Sequence, residues 1–221
     1  VWEVIAMTWL RLRLAFPLAV LAVAACRTVP QPPPGAPRPT VIVEEAESWR
    51  RAASARDAAA IDGLAERWEQ ALAASRSAGF AKRLAAEGAL LVRGGGLARA
   101  APAPGSYRCR SIRLGARKWT ASAQGFCYVG VEGGQLSFAT ELRGLRLGGY
   151  LWELKSGDRL VFLGSAVPAG AKSAAAYGDN PAGDAGGLVE RIGEFRYRVV
   201  LPAAAPASGL TIVELVAAPR D

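Results

Sequence analysis

The chain has 221 residues, 51% of them hydrophobic and 21% charged, with 25 Gly and a formal net charge of +8. A chain of this size and composition can bury roughly 70% of its unfolded surface, which excludes intrinsic disorder and a collagen-like repeat. It contains no His, so the Ser-His-Asp triad, the Cys-His pair and His-ligated zinc, copper or haem are all excluded.

From Met7 the chain reads as a processing signal. The basic stretch Met7 to Arg13 precedes an apolar run, Leu14 to Ala25, of 12 residues, shorter than the roughly 20 a spanning helix needs. Residues 1–25 are therefore expected to be a signal peptide, with residues 1–6 upstream of the true start. The run ends Val23-Ala24-Ala25-Cys26, which resembles the bacterial lipobox and implies diacylation of Cys26 as the first mature residue. The competing reading is a plain secretory signal with Cys26 incidental. Acyl chains contribute roughly 0.8 kcal/mol per buried methylene, so a lipidated Cys26 would hold the protein on its membrane. Arg27 stands where Asp, by the same resemblance, would retain the protein on the inner membrane. The expected location is the bacterial cell envelope, at the periplasmic face of the outer membrane.

Residues 26–43 are then a tether. The stretch Val29-Pro30-Gln31-Pro32-Pro33-Pro34-Gly35-Ala36-Pro37-Arg38-Pro39 has a proline density that forbids helix and favours an extended spacer. An SH3-like ligand is the rival reading of such a run, and the position behind an anchor favours the spacer.

The segment 44–93 reads as helix. Ile61, Leu64, Trp68 and Leu72 recur at steps of three, four and four, with Glu66, Arg67, Glu69 and Gln70 off the stripe and Asp57 placed to cap the start. A preceding turn or two presents Trp49, and Phe80 to Leu91 forms a further short helix ended by Gly94-Gly95-Gly96. Trp49 and Trp68 read as core at this spacing.

After Pro102-Ala103-Pro104-Gly105 the period becomes two. Tyr107 to Leu114, Phe126 to Val131, Gln135 to Leu142, Leu145 to Leu154, Arg159 to Leu163, Leu188 to Ile192, Phe195 to Leu201 and Leu210 to Val216 are strand-like. Glu132-Gly133-Gly134 and Ser156-Gly157-Asp158 read as tight hairpin turns. The expected fold class is α+β: a short helical segment followed by an antiparallel meander of about eight strands curling into a barrel-like sheet, with 105–219 packed on the helices as one unit.

Cys109 and Cys127 form an even pair on the first two strands once Cys26 is lipidated. A disulfide is expected in an oxidising compartment, and closing so short a loop contributes roughly 3 kcal/mol in the chain-entropy model. Two buried thiols or a thiol nucleophile are the alternatives; the spacing is far from Cys-x-x-Cys. Arg outnumbers Lys 23 to 4 and is scattered along the chain, which argues against a nucleic-acid partner. Weak attraction to anionic head groups or cell-wall polymers is the expected consequence.

The candidate ligand or partner site is the long connection before the strand at Leu188: Tyr177, Asp179, Asn180 and Asp184, with Glu190 and Arg191 beyond it. Its spacing is not that of a calcium loop, and turn chemistry competes. A carboxylate hydrolase pairing Asp179 or Asp184 with Glu190 is conceivable by residue type alone. Arg191, Arg196 and Arg198 with Arg108, Arg110 and Arg113 would form an anion-binding stripe if their strands were adjacent; solvation of an outer sheet face is the alternative. No catalytic residue, metal or cofactor is assigned.

The segments Gly105-Ser106-Tyr107-Arg108-Cys109-Arg110, Phe126-Cys127, Val161-Phe162-Leu163-Gly164, Tyr177-Gly178-Asp179 and Val189-Glu190-Arg191-Ile192-Gly193 resemble a family of exported bacterial proteins catalogued as domain of unknown function 4893. The likeness runs from about Trp49 to Pro219 and implies an envelope domain with no assigned activity. It also implies a more polar segment than Arg143-Gly144-Leu145-Arg146, so a site that relatives carry there would be altered. The reading is a non-catalytic, lipid-anchored envelope protein acting by binding or scaffolding, its partner an envelope protein, cell-wall polymer or small ligand. The rivals are a periplasmic barrel-type protease inhibitor and the His-independent hydrolase.

Overall fold

The computed structural model describes residues 48–115, 119–170, 176–203 and 209–218. The segments expected to be a signal peptide (1–25) and a tether (26–43, with Cys26), and the first residues of the expected helical segment, lie outside the described residues.

Among the described residues four helices come first: α1 (Ser48–Ala52), α2 (Ala55–Asp62), α3 (Leu64–Ser77) and α4 (Ala81–Ala86), then a 3-10 turn at Gly88–Leu91. The single long helix expected from Asp57 is two helices, because Gly63, a poor helix former, stands between them and turns its N–H back to Ala59 and Ile61. The cap is also corrected. Ser54 is the N-cap of α2, its Oγ accepting the Asp57 N–H at 3.1 Å, and Asp57 is three residues inside. The stripe survives the break: Ile61, Leu64, Trp68 and Leu72 are all buried.

Nine antiparallel strands follow: β1 (Gly105–Leu114), β2 (Thr120–Ala121), β3 (Gly125–Glu132), β4 (Gln135–Leu142), β5 (Leu145–Glu153), β6 (Arg159–Val167), β7 (Asp184–Gly193), β8 (Arg196–Pro202) and β9 (Leu210–Ala217). Each long strand pairs with the next, and β9 pairs with β1 from Tyr107↔Ala217 to Leu114↔Leu210. The eight long strands thus form a closed barrel. β2, too short to carry a period, extends the far half of β1 where β3 has ended.

Alternation assigns the two faces. Inward side chains fill the barrel, with Phe138 against Phe162 and Tyr107 against Tyr197 edge to face, ring centroids 6.0 and 5.9 Å apart. The Cys109–Cys127 disulfide is buried in this interior. On the outside, Trp68, Leu72, Leu84 and Leu90 pack with Ile112, Val200 and Ile212, while Trp49 and Ile61 pack with Val161 and Leu163. Both tryptophans are core.

β7 begins four residues before the expected strand. Gly186 and Gly187, which read as loop, are strand residues at points of close approach. A Cβ on Gly186 would meet Ile61 Cδ1 at 2.9 Å, and one on Gly187 would collide with the Val200 carbonyl oxygen. Glycine here admits α2 on one side and β8 on the other.

The barrel's two ends differ. At one, the segment leading to β1 crosses the opening: Leu97 N–H donates to Arg191 O at 2.8 Å, Ala100 is buried within the barrel core, and Tyr107 Oη donates to Ala103 O at 2.6 Å. That end is stoppered. The other end, at the β4–β5, β6–β7 and β8–β9 connections, carries a bowl of about 630 Å³.

Candidate functional site

The connection before β7 is fastened down by its polar residues. Tyr177 Oη donates to Asp57 Oδ2 at 2.6 Å and accepts the Ser54 N–H at 3.0 Å. Burial, and then the neighbouring Asp57 carboxylate, raise the Tyr177 pKa. The Asp184 carboxylate accepts the Gly178 N–H at 3.1 and 3.2 Å, and the Asn180 carbonyl accepts the N–H groups of Gly183 and Asp184. Arg56 straps the connection to α2 by donating to Pro181 O at 2.7 Å and Asp184 O at 3.0 Å. Asp179 contributes its backbone N–H to a turn with Ala176. The structure therefore brings Tyr177, Asn180 and Asp184 together as turn and docking groups.

Glu190 does not join them. It lies six residues beyond Asp184 on the regular part of β7, which at about 3.3 Å per residue is ~20 Å. Two hydrolytic carboxylates work at roughly 5 to 9.5 Å, so an Asp184–Glu190 pair is ruled out. Arg191 is next to Glu190 in the chain but on the opposite face of β7, its carbonyl taken by Leu97.

The arginine stripe is half present and fully neutralised. Direct strand partners place Glu190 opposite Arg198, Arg198 opposite Glu214, and Glu214 opposite Arg110. One row of alternating charge thus crosses β7, β8, β9 and β1 on the outer face. Arg198, fully buried, donates through Nε to Glu190 Oε2 at 2.7 Å and through Nη1 to Leu90 O at 2.8 Å, with its guanidinium 4.7 Å from the Trp68 ring centroid. Glu214 accepts from Arg110 Nε at 2.6 Å and Arg196 Nε at 2.7 Å, and Glu87 takes the other end of Arg110. Three arginines meet three glutamates. This row fastens the 3-10 turn and α3 to the barrel, and a crevice of about 220 Å³ opens beside it between α2, α3 and β7.

The bowl has a different chemistry. Its wall includes Leu145, Ala166, Ala185 and Leu201, its edge Arg56, Arg67, Arg113, Asp57 and Asp184. Both acids are engaged in the fastening just described. Arg113 is exposed at the last odd position of β1, the parity of Tyr107 and Cys109, and so it stands at the mouth of the barrel interior. The expected anion-binding stripe, and equally the alternative of an outer sheet face, grouped Arg113 with Arg108 and Arg110; strand parity carried the signal that it faces the other way from them. The mouth lies within the range of ordinary small-ligand pockets, about 300 to 1,000 Å³, at a place where such pockets recur in barrels. Among the described residues no group of three or more His, Cys, Asp or Glu side chains is arranged to hold a metal ion.

A family profile described as Domain of unknown function (DUF4893) matches residues 49–215. The chain belongs to this family. The match begins at the core residue Trp49 on α1 and ends on β9, so the DUF4893 unit includes both the helical cover and the barrel. No curated protein and no solved structure matches the chain. The disulfide, the charged row and the mouth all lie within the DUF4893 unit.

Proposed function

We propose that this DUF4893 protein is a non-catalytic binding module of the bacterial cell envelope, held by lipid on Cys26 at the periplasmic face of the outer membrane, and that a small ligand enters the mouth of its barrel. The signal-like segment ending in Val23-Ala24-Ala25-Cys26 supports the address and the anchor. The observation that carries the binding role is the bowl: a closed barrel stoppered at one end has about 630 Å³ of partly apolar space at the other. Binding is favoured over catalysis because the carboxylates nearest the bowl, Asp57 and Asp184, already accept hydrogen bonds from the protein itself. A general acid or base needs a proton-transfer site open to its substrate.

The test is to fill the bowl. Ala166 faces it from β6 and is only partly buried, so Ala166→Phe adds a ring where there is space. Fluorescence of an environment-sensitive dye such as anilinonaphthalene sulfonate is expected to rise with the native chain and to fall several-fold with the variant at unchanged melting temperature. Equal dye binding by the two folded proteins would defeat the proposal.

A further inference from the structure

We propose, resting on the mouth as a binding site, that its ligand is an amphiphile with a single anionic head, the alkyl chain lying in the bowl and the head against Arg113. Direct strand partners place Arg113, Thr211 and Leu201 side by side across β1, β9 and β8, and all three line the bowl. At the same parity deeper in the barrel, β9 and β8 carry the apolar core residues Val213 and Val199, and β1 carries the Ser111 hydroxyl and then the core residue Cys109. The wall thus runs from apolar to hydroxyl to guanidinium at the rim. Such a gradient suits a molecule with a greasy body and a charged end, and the arginine stem itself covers apolar wall while its head stays in water.

The sign of the charge follows from which groups are already used. Asp57 accepts from Tyr177, Ser54 and Arg56, and Asp184 accepts the Gly178 N–H. Arg56 is spent on Asp57 and on the carbonyls of Pro181 and Asp184. Arg113, which lines the bowl, makes no ion pair among the described residues. A concave, low-dielectric wall concentrates that positive field. A planar guanidinium matches the paired oxygens of a carboxylate or a phosphate, and both heads satisfy the same chemistry.

The experiment uses the full secreted chain with Cys26→Ser, so that no acyl chain of its own competes. Decanoate, decyl phosphate, decanol and decylammonium are titrated calorimetrically at low ionic strength. One or both anionic probes are expected to bind about ten-fold or more tighter than decanol, in line with a charge-assisted hydrogen bond. Arg113→Gln is expected to abolish that preference, bringing the ratio of anion to decanol affinity to about one. The anion that binds more tightly tells a carboxylate source from a phosphate source. Equal binding of decanol and the anions, tighter binding of decylammonium, or a preference untouched by Arg113→Gln would each overturn the head-group assignment while the mouth still binds. Binding of none of the four would overturn the mouth reading together with it.

Discussion

Tyr177 Oη and the Asp57 carboxylate, 120 residues apart in the chain, meet at 2.6 Å. The same hydroxyl accepts the Ser54 N–H at 3.0 Å, while Ser54 Oγ accepts the Asp57 N–H at 3.1 Å. In an ordinary capping box the side chain at the third helical position would take the N-cap N–H directly. Here Tyr177 is inserted into that box and ties the connection before β7 to the start of α2. Tyr177→Phe removes a donor from the buried Asp57 and an acceptor from Ser54, and a stability loss of about 1 to 3 kcal/mol is expected. Urea unfolding measures the loss, and limited proteolysis should show faster cleavage between residues 168 and 184. A variant with an unchanged midpoint and unchanged cleavage would mean the tie does not hold the connection.

Arg198 and Glu190 test the buried row in a different way. Removing one partner of a buried pair leaves the other charge uncompensated, typically at about 3 to 5 kcal/mol, whereas replacing both with apolar groups is often much milder. Arg198→Met is expected to fall in the damaging range, because Arg198 also holds the Leu90 carbonyl at 2.8 Å. Arg198→Met combined with Glu190→Leu should be more stable than Arg198→Met alone. A double-mutant cycle in urea gives the coupling, and strictly additive losses would show that the two side chains do not act as a pair.

The barrel was legible wherever a side-chain period was long enough to count. Phe195 to Leu201 alternates over seven residues and is β8 to within a residue at either end. β2 has two residues and no period to read. Gly186 and Gly187 misled for a physical reason: glycine marks both turns and close approaches, and only the packed neighbours Ile61 and Val200 tell which. The candidate site was less legible. Asp184 and Glu190 looked like a possible pair because residue type carries no distance, and the strand between them holds them apart. The arginines were visible but their partners were not, since Glu87 and Glu214 reach Arg110 from 23 and 104 residues away. Register makes that row, and register appears only when the barrel closes.

The proposed lipid anchor on Cys26 is checked by intact mass of the protein extracted from native membranes. A chain beginning at Cys26 with a triacyl increment is expected. A mature chain of unmodified mass would remove the lipid anchor and leave a secreted barrel.

Cys109 and Cys127 join β1 to β3 inside the barrel, 18 residues apart. Reduction restores the freedom of that loop in the unfolded chain, and a loss of roughly 3 kcal/mol is expected. The bridge spans adjacent strands that also exchange backbone hydrogen bonds, so the reduced barrel should still fold, with a lower urea midpoint. A midpoint that does not move on reduction, with alkylation confirming that both thiols are free, would contradict this.

Alkaline pH probes two phenols at once, Tyr107 buried and Tyr177 half-buried. Tyr107 lies in the barrel interior, where burial first, and then the neighbouring Tyr197, push its pKa up to about 12. Tyr177 is raised by burial and by Asp57. An unfolded phenol titrates near pH 10, so each of these holds its proton more tightly in the folded state. Their contribution to stability is therefore complete below about pH 10 and is lost as the pH rises through the folded-state values. The urea midpoint is expected to decline between about pH 10 and 12 with phenolate absorbance rising in step. Tyr107→Phe keeps the ring against Tyr197 but cannot ionise, so its midpoint should fall less over that interval than the native chain's. If the two proteins declined in parallel, the interior phenol would not be the group that alkali attacks.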